Sequence, residues 1–134
     1  MQRFFSGLTD PGLLRSSNQD AYHIDPDGRF FIVADGMGGH AGGQEASRLA
    51  TEVIRTYLDQ QWPSEHASDE LLRDAFLKAN DAILRDQAEH PERADMGTTA
   101  VVLMFRESET EPWCGHVGDS RLYRLRGPRL SQIT

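Results

Sequence analysis

The chain has 134 residues and a net charge of −7, with 38% hydrophobic and 26% charged residues. These values predict one globular domain with a single core rather than a disordered segment. The acidic balance disfavours nucleic acid or an anionic membrane as the main partner, and the longest apolar run, Ala100 to Phe105, is too short to cross a bilayer. Cys114 is the only cysteine and no secretory signal is apparent, so we expect a soluble cytoplasmic protein.

Apolar runs and turn-forming residues divide the first part of the chain into strands. The predicted strands are Gln2 to Thr9, Ala21 to Ile24 and Phe30 to Ala34. The segment Asp25 to Gly28 between the last two is typical of a hairpin turn. The run from Phe30 to Ala34 is continuously apolar, which indicates a strand buried on both faces, and a glycine-rich loop from Asp35 to Gly43 follows it.

Two helices and further strands are predicted after this loop. Apolar residues at helical spacing predict helices from about Gln44 to Leu58 and from about Asp69 to Ala88. Three consecutive antiparallel strands are then predicted, and a fourth strand begins at Leu130. The three are Thr98 to Phe105, Pro112 to Val117 and Arg121 to Leu125. Strands, two helices and then strands again favour a layered α+β architecture over alternating βαβ units.

Three aspartates, Asp20, Asp35 and Asp119, lie at the edges of predicted strands, where turns can direct them to a common point. Carboxylate oxygens suit hard cations such as Mg2+ or Mn2+, and the unshielded carbonyl of Gly36 is a further ligand of this kind. Without a cation, bringing these carboxylates together destabilises the folded protein, because their like charges repel and raise each other's pKa. Any one of these aspartates is more simply explained by hydrogen bonds within its own turn. The three together favour a metal site.

Two further residues suit phosphate chemistry. Arg15 can offer a planar fork to a phosphoryl group, although a solvated turn arginine is the simpler interpretation of that residue alone. His40, in a glycine-rich context, can donate a proton to a leaving alkoxide. Spacing alone leaves this role and that of a surface histidine evenly balanced. Together with the aspartates, these residues predict metal-assisted phosphate hydrolysis.

The glycine-rich loop also allows a competing interpretation. Gly36 to Ala41 matches the G-x-G-x-x-A form of a dinucleotide-binding turn between a strand and a helix. Asp35 would place negative charge beside the pyrophosphate, and a second helix stands where a parallel strand is required. The preceding strands are joined by a hairpin turn and are therefore antiparallel. We set this interpretation aside.

Taken in order, the motifs of the chain resemble those of the metal-dependent serine/threonine protein phosphatases of type 2C, in their bacterial form. The motifs that carry the resemblance are Gly7–Thr9, Gly12–Asp20, Phe31–His40, Gly97–Ala100 and His116–Arg121. The resemblance implies a four-layer α-β-β-α sandwich with two antiparallel sheets. It also implies a binuclear Mn2+ or Mg2+ centre, at which a metal-activated water attacks phosphoserine or phosphothreonine.

The resemblance also implies a role for each candidate site residue. Asp35 matches the carboxylate that bridges the two metals, and Gly36 matches a carbonyl ligand. Asp20 matches an acid that contacts the metals through another ligand or through water, and Asp119 matches an acid that helps to hold a third, weaker metal.

Two site residues are assigned in the same way to the substrate rather than to the metals. Arg15 matches the phosphate-binding arginine, and His40 matches the proposed general acid.

The chain corresponds to the N-terminal part of such a domain, residues 1–134. Family members are roughly twice as long, and their later half carries two more metal-binding aspartates. We therefore assign activity to the full-length protein, as a monomer acting on phosphorylated proteins, and expect the chain alone to lack part of its metal coordination. The alternative function is a catalytically dead phosphatase-like module that binds phosphoproteins or regulates a kinase pathway. A nucleotide-binding module, which the glycine-rich loop alone would favour, is the second rival, and the residues around that loop disfavour it.

Overall fold

Seven strands and two α-helices make up the regular structure of residues 2–39 and 41–134, which are the residues described by the computed structural model. In chain order they are β1 (Asp20–Ile24), β2 (Phe30–Met37), α1 (Gly42–Gln61), α2 (Ser68–Glu89), β3 (Gly97–Thr98), β4 (Ala100–Met104), β5 (Trp113–Val117), β6 (Tyr123–Arg126) and β7 (Arg129–Gln132). A short 3-10 helix, Pro91–Arg93, follows α2.

The main sheet has five strands in the order β1-β2-β4-β5, with the short β3 also paired to β2. Every pairing in it is antiparallel. The β1–β2 connection is the predicted hairpin turn, in which the Gly28 N–H donates to the Asp25 carbonyl at 2.9 Å. Gly28 has a φ of +68°, which glycine adopts without strain. The antiparallel pairing and the α1–α2 succession exclude the dinucleotide-binding arrangement.

Both helices cover the same face of this sheet. They pack against each other, and α1 also packs on β1 and β2. The shared core consists of Phe30, Ile32, Ala46, Ala50, Ile54, Leu58, Leu71, Leu72, Ala75, Ala79, Ile83, Met96, Ala100, Val102 and Met104. The apolar periodicity that predicted the two helices is thus the periodicity of the residues they bury. Helix α1 extends two to three residues beyond its predicted ends, and α2 extends one residue beyond each of its own.

The prediction that Phe30 to Ala34 is buried on both faces is wrong. Phe30 and Ala34 are fully buried, but Val33 between them is 51% exposed. Successive side chains of a strand point to opposite faces, and within the described residues only one face of the sheet carries helices.

The predicted strand from Gln2 to Thr9 is also absent: these residues take part in no strand ladder with the rest of the described chain. The segment lies instead across side chains of the β1–β2 hairpin. The Phe5 ring is 5.3 Å from that of Phe31, and a Cβ added at Gly7 would lie 2.6 Å from the Tyr22 ring. A segment that lies over the face of a sheet is outside the plane of its strands, where the backbone hydrogen bonds of a ladder form.

The prediction of three consecutive antiparallel strands holds only for β4 and β5. β6 pairs with β7 in a separate two-stranded sheet. At the base of this hairpin the Ile133 N–H donates to the Leu122 carbonyl at 2.8 Å, and the Leu122 N–H donates to Thr134 Oγ1 at 2.9 Å. These bonds close the β6–β7 hairpin, whose two strands pair with each other and not with β5.

The α+β class with antiparallel sheets is confirmed. The described residues supply one helical layer and one five-stranded sheet, together with the β6–β7 hairpin. Neither helix has the combination of length and apolar character needed to cross a membrane.

Candidate functional site

An open cavity of about 610 Å3 lies at the end of the β1–β2 hairpin opposite its turn. Its walls come from the segment before β1, from β2 and the loop after it, and from the residues that follow β3 and β5. The lining residues are Asp10, Pro11, Arg15, Ser17, Asn18, Gln19, Asp20, Asp35, Gly36, Met37, Gly38, Thr99 and Asp119. Arg15, Asp20, Asp35, Gly36 and Asp119 are the candidate residues predicted from sequence, and the fold brings all five to this one cavity. His40, the sixth, lies outside the described residues.

Asp20 and Asp35 face each other across the β1–β2 ladder as directly paired residues. Like charges in this position repel, because Cβ atoms of opposed residues are only about 5 Å apart. Partial removal from water and the proximity of Asp20 raise the pKa of Asp35, although the residue is exposed, and Asp119 adds to this effect. Arg15 opposes the rise in pKa, which places its positive charge near the same carboxyl group. The site therefore has an excess of negative charge that its arginine only partly offsets.

Gly36 and the loop after it are held close to the start of α1. The Gly36 N–H donates to the Gln19 carbonyl at 2.9 Å, and Gln19 Nε2 donates to the Gly38 carbonyl at 3.1 Å. A Cβ added at Gly36 would lie 1.9 Å from the carbonyl oxygen of Gly43, so no other residue fits there without moving the backbone. The glycines of this loop allow the backbone to run close beside Asp35.

Asp35 is also fixed through its backbone. Its N–H donates to Thr99 Oγ1 at 3.0 Å, and its carbonyl accepts from the Thr99 N–H at 2.9 Å. Thr99 is 4% exposed, and its hydroxyl is 2.6 Å from that of Ser120, the residue after Asp119. Gly118, at the other side of Asp119, has a φ of +90°.

Among the described residues that line this cavity, the candidate metal ligands are carboxylate and carbonyl oxygens, and none of these residues is a histidine or a cysteine. This chemistry fits Mg2+ or Mn2+ better than zinc or copper. Within residues 2–39 and 41–134, no three histidine, cysteine, aspartate or glutamate side chains lie close enough together to hold a metal ion by themselves. The volume of the cavity leaves room for water, which Mg2+ retains in several coordination positions.

Gln19, Thr99 and Ser120 were not predicted as functional residues. All three lie inside the motifs singled out from the sequence, next to Asp20, before Ala100 and next to Asp119. For Gln19 and Ser120 the available signal was their position next to an aspartate, and for Thr99 it was the Gly97–Ala100 motif. The hydrogen-bond partners of all three follow only from the fold.

The family is settled by comparison with known proteins. A family model described as Protein phosphatase 2C matches residues 15–134. The chain therefore belongs to the protein phosphatase 2C family.

Individual relatives are bacterial phosphatases. The serine/threonine protein phosphatase PstP of Mycobacterium tuberculosis is 35% identical over 131 residues, which are 97% of this chain and 24% of PstP. The protein phosphatase PhpP of Streptococcus pneumoniae is 32% identical over 131 residues, covering 95% of this chain and 52% of PhpP. The chain thus spans about a quarter of the first relative and about half of the second.

Solved structures of PstP share the fold. A crystal structure of the M. tuberculosis enzyme superimposes with a TM-score of 0.83 at 36% identity, covering 93% of this chain and 51% of that one. The PstP catalytic domain in complex with two manganese ions gives a TM-score of 0.80 at 35% identity, with 93% and 52% coverage.

Proposed function

We propose that residues 1–134 are the N-terminal part of a single phosphatase domain, which in the complete protein hydrolyses phosphoserine and phosphothreonine in phosphorylated proteins. The observation that carries this proposal is the convergence of Asp20, Asp35, Asp119 and Arg15, from separate segments, on one cavity. Membership of the protein phosphatase 2C family supports it.

The metal side of the proposal is a pair of Mn2+ or Mg2+ ions, with a third bound more weakly. Asp35 would bridge the pair, the Gly36 carbonyl would be a ligand of one ion, and Asp20 and Asp119 would complete the site directly or through water. The oxygen-only donor set and the uncompensated negative charge around Asp35 support this assignment. When bound, such cations would supply a water acidic enough to act as a nucleophile near neutral pH.

The chain's own residues would handle the phosphoryl group. Arg15 is exposed at the cavity, near enough to Asp35 to influence its pKa, so its guanidinium can bind phosphate oxygens beside the carboxylates. His40 stands four residues after Gly36 in the sequence and would protonate the leaving serine or threonine oxygen. We extend the proposal to a monomer that acts in the cytoplasm.

The test compares two aspartates of the same hairpin in the complete gene product. Asp35→Asn changes the proposed bridging ligand, and Asp27→Asn makes the same change at an exposed position in the hairpin turn. Hydrolysis of para-nitrophenyl phosphate and of a phosphothreonine peptide is measured with Mn2+, with Mg2+ and with a chelator. We expect Asp35→Asn to lose at least about 100-fold in kcat/KM, because a direct ligand matters more than an outer-shell partner.

The control should leave activity within about twofold of the wild type, since exposed substitutions away from a site have small effects. A fully active Asp35→Asn protein would contradict the metal assignment. A folded complete protein that binds the phosphopeptide but never hydrolyses it with either metal would favour the catalytically dead module instead.

A further inference from the structure

Thr99 joins two parts of the site that are not paired with each other. It lies between β3 and β4, is 4% exposed, and bonds both backbone groups of Asp35. The N–H of Asp35 reaches the Thr99 hydroxyl, so the side chain of Thr99, and not only its backbone, takes part in holding Asp35. An ordinary ladder contact would use backbone atoms alone.

The same hydroxyl reaches the segment that carries Asp119. Thr99 Oγ1 lies 2.6 Å from Ser120 Oγ, and a Cβ added at Gly118 would lie 2.6 Å from Thr99 Cγ2. Thr99 therefore contacts the residue before Asp119 through its methyl group and the residue after it through its hydroxyl. One buried side chain sets where the Asp119 turn lies relative to β2.

The electrostatics of the site explain why such a link is needed. Asp20, Asp35 and Asp119 line one cavity and carry the same charge, so repulsion favours their separation. Asp119 lies on a turn after β5, whereas Asp20 and Asp35 are fixed by the β1–β2 ladder. The turn is therefore the part that repulsion would displace, and the bond to Thr99 opposes that displacement.

We propose that the Thr99–Ser120 hydroxyl bridge is a positioning device that fixes Asp119 relative to Asp35 and thereby sets the affinity of the site for divalent cations. The inference rests on the proposed metal site. It assigns to Thr99 and Ser120 the role of positioning the proposed metal ligands, without contact to the substrate. Outer-shell partners of this kind typically change metal affinity by about 10- to 100-fold when they are removed.

The chain offers a matched control in Thr51 of α1. It is also buried, at 7% exposed, but its Oγ1 has no hydrogen-bond partner within the described part of the chain. Thr→Val at either position removes a buried hydroxyl and keeps the branched shape. Only at position 99 does the change remove a bond to the segments that bear the aspartates.

The experiment titrates metal-free complete protein with Mn2+ by calorimetry and records the melting temperature with and without the metal. We expect Thr99→Val to weaken Mn2+ binding by about 10- to 100-fold and Ser120→Ala by about three- to tenfold. Thr99→Ser, which keeps the hydroxyl, should bind within about threefold of the wild type, and Thr51→Val should bind like the wild type.

The outcomes separate this inference from the proposed function. A folded wild-type protein that binds no Mn2+ overturns both. Wild-type binding together with unchanged affinity in Thr99→Val overturns the positioning role alone, even if the melting temperature of that variant falls. If Thr99→Val does not fold, Ser120→Ala decides, and unchanged affinity in that variant overturns the inference.

Discussion

The two ends of the β1–β2 hairpin handle their carboxylates in opposite ways. At the turn end, Asp25 is 1% exposed and is held by Arg29, whose Nε and Nη2 donate to its two carboxylate oxygens at 2.8 and 2.7 Å. Arg29 Nη2 also donates to Asp59 at 2.6 Å. At the open end, Asp20 and Asp35 face each other, and partial removal from water together with the like charge of Asp20 raises the pKa of Asp35.

This difference separates stability from function within one hairpin. At the turn end, Asp25, Arg29 and Asp59 form an ion cluster in which Arg29 pairs with both carboxylates and connects the turn to α1. At the open end, carboxylates are gathered with too little positive charge beside them, which lowers stability, and the proposed cations would relieve this repulsion. Sites arranged for binding commonly carry such unfavourable charge in the free protein.

The largest expected effect is the loss of the buried carboxylate at the turn end. Asp25→Ala should lower the free energy of unfolding by about 3 kcal/mol, because it leaves the partly buried Arg29 without its bidentate partner. Urea unfolding of the complete, metal-free protein measures this loss. Asp27→Ala, exposed in the same turn, should change the free energy of unfolding by less than about 0.5 kcal/mol. Equal effects of the two substitutions would show that the ion cluster does not stabilise the hairpin.

A smaller loss of unfolding free energy is expected when Arg29 is replaced by a residue of the same charge but different shape. Arg29→Lys should cost about 1 to 2 kcal/mol, because one ammonium group cannot bond both oxygens of Asp25 and also reach Asp59. It also removes the guanidinium that lies 5.2 Å from the Trp62 ring. Arg55→Lys is the control, since Arg55 makes only an exposed 3.6 Å contact with Asp59 and should matter by less than about 0.5 kcal/mol. If Arg29→Lys lowers the free energy of unfolding no more than Arg55→Lys does, the bidentate geometry of Arg29 contributes little to stability.

How well a feature could be predicted from sequence depends on how far apart in the chain its interacting residues are. The β1–β2 turn depends on adjacent residues, and helix α1 buries apolar residues at regular spacing, so both were predicted to within a few residues. The candidate residues of the open end lie within sequence motifs, and this allowed them to be predicted together. Five of the six line one cavity in the structure. Their roles as ligands and phosphate binder stay predictions.

The features that were missed depend on distant partners. Arg29 and Asp59 are 30 residues apart in the chain, and Thr99 and Ser120 are 21 apart, so neither pair has a local signature. The pairing of β6 with β7 instead of β5 likewise depends on tertiary contacts. The exposure of Val33 reflects which face the helices cover, and an apolar run alone cannot indicate this.

Acid should weaken the turn end selectively. Burial alone would raise the pKa of Asp25, but its hydrogen bonds from Arg29 outweigh this and hold the pKa below its ordinary value of 3.8. The contribution of Asp25 is therefore present above that value and is lost as pH falls through the folded-state pKa. The difference in unfolding free energy between the wild type and Asp25→Asn should narrow as the pH falls below about 4, by about 1.4 kcal/mol for each unit of pKa depression. A constant difference over this range would contradict the depressed pKa.

The smallest expected effect has the opposite sign and belongs to the open end. In metal-free protein at neutral pH, Asp35→Asn should raise the free energy of unfolding by up to about 1 kcal/mol, because it removes a like charge paired across the ladder from Asp20. Asp27→Asn makes the same change of charge where no such pair exists and should be nearly neutral. With Mn2+ the order should reverse, since cation binding to the folded wild type adds stability that the variant cannot gain. An Asp35→Asn protein that is less stable than the wild type without metal would mean that Asp35 serves the fold, and the contrast between the two ends of the hairpin would then fail.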